Sequence, residues 1–220
     1  MTRQALVVLA FSVLVPLGSA HAQAVDLLEL AKTGTPQSIQ AAINQGANPK
    51  APDANGETLL MDAAGFNQDP MVISVLLKAG ADINAVDEFG GTALMKAAEG
   101  NPNAQVTAVL VEAGSDLEAR NMAGMTALMW ACQFNQNPKV PAVLLQGGAD
   151  MEARDALRGM TALMFAASDN PHPEVISTLL DAGADGKAKS NEGKTAFDYA
   201  QDNESLKGTD ALDKLGEARY

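Results

Sequence analysis

An all-α repeat solenoid, built of helix-turn-helix units joined by short hairpin-like turns, is the fold class the sequence predicts. Three observations carry it. Four stretches lie over one another: "ETLLMDAAGFNQDPMV" from Glu57, "GTALMKAAEGNPNAQV" from Gly91, "MTALMWACQFNQNPKV" from Met125 and "MTALMFAASDNPHPEV" from Met160. The turn glycines Gly56, Gly90, Gly124, Gly159 and Gly193 recur at spacings of 34, 34, 35 and 34 residues, and self-similarity at such a period marks stacked repeats. Each unit holds two short helical patterns separated by an Asn and a nearby Pro.

The elements follow in chain order. Residues 1–22 stand outside the repeat: Arg3 precedes the apolar run "ALVVLAFSVLV", then Pro16 and small residues to Ala20-His21-Ala22. This is the pattern of a secretory signal peptide, cleaved before Gln23, with Ala22-Gln23-Ala24 as a second site. The run falls short of the roughly 20 apolar residues of a membrane span, and no Cys follows it to take a lipid. The expectation is export, to a periplasm or the medium. Residues 23–220 then form one repeat domain: a degenerate first unit (25–52), four full units (53–86, 87–120, 121–154, 155–189) and a closing unit (190–220). The outer units serve as caps, the last one turning Asp198, Asp202 and Glu204 to water.

Within a full unit, the turn Asp87-Glu88-Phe89-Gly90 leads to Thr92, placed to cap a helix whose Leu94, Ala97 and Ala98 share one face. Asn67, Asn101, Asn135 and Asn170 stand where the first helix stops, and a left-handed conformation is expected of them. The second helix buries pairs such as Leu76-Leu77, Leu144-Leu145 and Leu179-Leu180, and ends at Gly80, Gly114, Gly148 and Gly183. Cys132 takes the place of the second Ala in the pairs Ala63-Ala64, Ala97-Ala98 and Ala166-Ala167, which makes it a buried, inert thiol.

On these residues the chain resembles the ankyrin-repeat family. "G-x-T-A-L-M-x-A-A" is similar to that family's "G-x-T-P-L-H-x-A-A", and "LLKAGADINA" to its "LLxxGADVNA". The resemblance runs from about Val25 to the C-terminus. The family's Pro is replaced by Ala93, Ala127 and Ala162, and its His by Met61, Met95, Met129 and Met164, so the hydrogen bonds of that His are missing and the start of the first helix is expected to be looser. The resemblance implies a non-enzymatic module that binds a protein partner through turn tips and the concave face of its first helices.

Composition narrows the partner. The formal charge is −12, and loss of Arg3 with the leader leaves −13. Nucleic acid and anionic membranes are bound through Lys and Arg, so both are disfavoured, and the mature chain is expected to act as a monomer free of the membrane. No cofactor, metal or catalytic residue is assigned. His172, a connection residue like Asp69, Asn103 and Asn137, has no second His to work with in the mature chain. Asp53-Ala54-Asn55-Gly56-Glu57 lacks the closing bidentate Glu of a calcium loop. The methionine ladder would suit Cu(I) by softness, but in the fold the resemblance implies a whole layer separates its members. Glu118-x-Arg120 and Glu152-x-Arg154 read as solvated ion pairs. A small exported hydrolase using paired acids is the alternative, opposed by acids strung along a ridge rather than converging.

Positions that vary between repeats are free for recognition. One series is Asp62, Lys96, Trp130 and Phe165; a second, four residues on, is Phe66, Gly100, Phe134 and Asp169; the turns add Phe89, Met122, Met125, Leu157, Arg158 and Met160. The only Trp and four of the six Phe fall in these places. Aromatic and Met side chains on a surface mark interfaces, so the expected partner-binding set is Trp130, Phe134, Phe165, Phe66, Phe89, Met122, Met125, Leu157 and Met160. Trp130 and Phe165 have a second reading, as cover for a helix flank.

Overall fold

The computed structural model describes residues 20–220, with side chains from Leu27 onward. Residues 1–19, most of the expected leader, lie outside the described residues. Twelve α-helices and one 3-10 turn, Glu204–Leu206, make up the described chain, without a strand among its residues. They pair by unit: α1 (Ala20–Thr33) with α2 (Pro36–Asn44), α3 (Leu59–Phe66) with α4 (Pro70–Lys78), α5 (Ala93–Gly100) with α6 (Ala104–Glu112), α7 (Ala127–Phe134) with α8 (Lys139–Gln146), α9 (Ala162–Asp169) with α10 (Pro173–Asp181), and α11 (Ala196–Ala200) with α12 (Asp210–Ala218). First helices stack on first helices and second helices on second helices along the whole series. The fold is the predicted all-α solenoid.

The stack packs closely because its inward residues are small or flexible. Ala63, Ala64, Ala97, Ala98, Ala131, Cys132, Ala166 and Ala167 are fully buried, and small side chains let neighbouring first helices approach closely. Met61, Met95, Met129 and Met164 are buried as fillers between them. Burial pushes the Cys132 thiol well above its ordinary range, so it stays a protonated, apolar filler.

The asparagines do something other than expected. Asn67, Asn101, Asn135 and Asn170 have extended backbones, with φ between −80° and −73° and ψ between 118° and 131°. Their side chains explain the choice. The Nδ2 of Asn101 donates to the carbonyls of Ala64 and Asn67, both at 2.8 Å, while its Oδ1 accepts from the amide of Asn103 at 2.9 Å. Asn67, Asn135, Asn170 and Asn203 repeat the pattern, each reaching back to the preceding unit. A buried ladder of amides thus satisfies the orphan carbonyls at the ends of the first helices.

The caps are uneven. Thr58 and Thr92 accept from the amides of Met61 and Met95 at 3.3 and 3.2 Å. Thr126 and Thr161 stand in the same place, but their buried hydroxyls have no partner among the described residues. At Thr161 the amide of Met164 turns to the backbone carbonyl instead, at 3.0 Å. The second helices end as expected, with left-handed Gly80, Gly114, Gly148 and Gly183 and a bond such as Ala81 N–H to the Leu76 carbonyl, 3.0 Å.

Candidate functional site

The turns are the first part of the surface. Each is folded around one side chain: Asp87 Oδ1 accepts from Phe89 and Gly91, Asn121 Oδ1 from Ala123 and Met125, and Asp155 from Leu157, Arg158 and Met160. Adjacent turns are then tied by single backbone bonds of 2.9 Å, from Glu88 to Asn55, Met122 to Phe89, Ala156 to Ala123 and Asn191 to Arg158. The result is a fixed edge from which Phe89, Met122 and Leu157 project, 63%, 75% and 72% exposed.

The face of the first helices is the second part. Phe66 and Phe134 are exposed at the last turns of α3 and α7. Trp130 is half-buried, its ring 5.1 Å from that of Phe134 and tilted by 36°, and its indole N–H is buried without an acceptor among the described residues. Lys32 lies over the Phe66 ring at 5.3 Å.

Three members of the expected set are not on this surface. Phe165, Met125 and Met160 are buried. The two methionines precede the N-cap and Trp130 and Phe165 stand four residues into the helix, the arrangement in which apolar side chains close a helix start as a staple. In the closing unit Lys194 lies over the Tyr199 ring from the same pair of positions, 5.3 Å away. Phe165 has a further cover: its turn carries one extra residue, and the guanidinium of Arg158 lies 5.2 Å over its ring. The 35-residue spacing was the sign of that insertion.

Charges at the other end of the series are paired. Asp62 is buried rather than exposed, 3.4 Å from Lys32, and burial pushes its carboxyl above the ordinary range despite that lysine. Lys96 bridges Glu57 at 2.8 Å and Asp87 at 3.0 Å. Burial opposes ionisation of Asp87, but Lys96 and the turn amides outweigh it and hold its carboxyl below the usual value. The Glu-x-Arg motifs are not ion pairs with each other. Glu118 and Glu152 accept from the amides of Asp150 and Asp185 in the next unit, both at 2.8 Å, and Arg120 and Arg154 donate to the carbonyls of Gly124 and Gly159, at 3.0 and 2.9 Å. They are stacking clamps. Among the described residues no three of His, Cys, Asp and Glu converge as metal ligands, and no helix is long and apolar enough to cross a membrane.

Comparison with known families agrees with this geometry. The model for ankyrin repeats (3 copies) matches residues 27–121, 60–155 and 128–216, which together run from 27 to 216. The chain belongs to the ankyrin-repeat family. No curated protein matches it. Ankyrin-repeat proteins are generally non-enzymatic interaction modules, and the repeats imply a protein partner.

Gly100 stands among the variable positions of the sequence, but the recess beside it is visible only in the structure. This glycine interrupts the row of Phe66 and Phe134, and a notch of about 310 Å³ opens there, lined by Glu99, Gly100, Pro102, Phe134, Asn135 and Gln136.

Proposed function

We propose that this ankyrin-repeat protein, freed of residues 1–22, is an exported, monomeric, non-enzymatic module that holds a protein partner in the periplasm or outside the cell, as an inhibitor, an antidote or an assembly factor. One observation carries the reading: Phe89, Met122 and Leu157 stand exposed on turns locked to one another by backbone bonds. Large apolar side chains on rigid supports bind with little ordering cost, and contiguous exposed apolar surface marks recognition sites. Trp130 and Phe134 extend that surface onto the first helices. Export is supported by the charge and apolarity of residues 1–22.

The test is a paired capture from an exported-protein extract, with the mature chain and with a Phe89→Ser, Met122→Ser, Leu157→Ser variant as baits. A protein held by the first and lost by the second supports the reading. Identical captured sets, with both baits equally folded by circular dichroism, overturn it. Intact-mass measurement of the protein recovered outside the cytoplasm should give a chain beginning at Gln23.

A further inference from the structure

The notch beside Phe134 lies on the first-helix row at the position where the repeat has Gly100 in place of a larger side chain. In the sister units this position is filled by Phe66, Phe134 and Asp169. At Gly100 the backbone is helical, and a Cβ there would meet nothing within 4 Å among the described residues. The absence is therefore not forced by packing. It leaves about 310 Å³ bounded on one side by the ring of Phe134, itself 47% exposed, and by Pro102 and Gln136 at the connections. That is room for one large apolar side chain, and an aromatic wall suits such an anchor.

Charge says what stands beside the anchor. Glu99 lines the notch, and Asp169 follows Phe134 in the row, fixed near it by the bond from Gln133 Nε2 at 2.7 Å. Both are exposed, and neither has a Lys or Arg within 4 Å among the described residues. Elsewhere on this face the acids Glu57, Asp62 and Asp87 are matched by Lys32 and Lys96. The carboxylates flanking Phe134 are left without a counter-charge, in a chain of net charge −12.

We infer that the Gly100 notch is a docking site for a basic protein segment, in which one large apolar side chain enters the notch against Phe134 and neighbouring Lys or Arg residues meet Glu99 and Asp169. The inference rests on the protein-binding reading above and names the chemistry of the partner. Gly100→Phe plugs the notch with a side chain that two sister units already accommodate, so the fold is retained.

Short random peptides displayed on phage are panned on the mature chain alone, and the enriched peptides are then measured on the variants. Enriched peptides should share an apolar anchor next to Lys or Arg. Made synthetically, they should lose binding tenfold or more on Gly100→Phe and on Glu99→Lys, and on Phe134→Ala, with the urea midpoint of each variant close to that of the parent. No enrichment, enrichment of acidic or anchor-free peptides, or equal affinity for Gly100→Phe overturns the notch. Peptides that ignore Gly100→Phe but are lost on Met122→Ser and Leu157→Ser overturn the notch while leaving the turn-tip surface in place.

Discussion

At the scale of single residues, equivalent positions in this solenoid carry unequal energies because their partners differ. Thr92 and Thr126 occupy the same N-cap, yet only Thr92 makes the side-chain bond. Thr92→Val should therefore lower stability by about 1 kcal/mol, whereas Thr126→Val removes a buried hydroxyl that has no partner and should leave stability unchanged or raised; urea unfolding of the two variants decides this. Asp87 offers a cleaner contrast, because Asn121 already shows that an amide can hold the same turn. Asp87→Asn should keep the backbone bonds and lose only the ion pair with Lys96. The folded carboxyl titrates below its ordinary value of 3.8, so its contribution is complete above that value and fades as pH falls through the lower one. The variant should be less stable than the parent at neutral pH, and the gap should begin to close only as pH falls below about 3.8. Residue identity alone did not separate Trp130 from Phe165: both are aromatics in one series with a methionine before the N-cap, and the inserted Arg158 over the Phe165 ring is what sets them apart.

Elements were legible to the extent that their boundaries rest on local chemistry. Turn glycines, the Thr92 cap and the glycines closing the second helices act within a few residues, and the sequence places them correctly. The asparagines misled because their bonds are not local; the acceptors lie in the preceding unit, 33 to 38 residues away. The glycines also divide by context. Gly124 has φ +72°, and a Cβ there would lie 2.6 Å from the amide nitrogen of Ala156, the donor that ties two turns together. Gly148 has φ +96° with nothing within 4 Å among the described residues. Gly148→Ala should cost about 1 kcal/mol of left-handed strain, and Gly124→Ala several times more, because it also breaks the junction. Thermal melts of the two variants would show the difference.

For the whole molecule, stability is a sum over units and the junctions between neighbours. The closing unit is half of that arrangement at its end: Leu206, Ala211 and Leu215 are buried in it, and α11 and α12 cover α9 and α10. Deleting residues 190–220 should lay open Leu179 and Leu180 and give a protein that aggregates or unfolds over a broadened urea transition; a truncation as soluble and as cooperative as the parent would show that α9 and α10 need no cover. The candidate site is legible only at this scale, since the Gly100 notch exists through the side chains before and after it in the row. The asparagine ladder also gives the stack a direction. Every rung is held by a donor in the later unit and acceptors in the earlier one, so a load applied at the two ends draws first on the outermost rungs. Stretched between its termini, the molecule should behave as a chain of fuses rather than as one block. Force-extension traces should show a sawtooth in which each event releases one repeat, 34 residues, and lengthens the chain by roughly 120 Å.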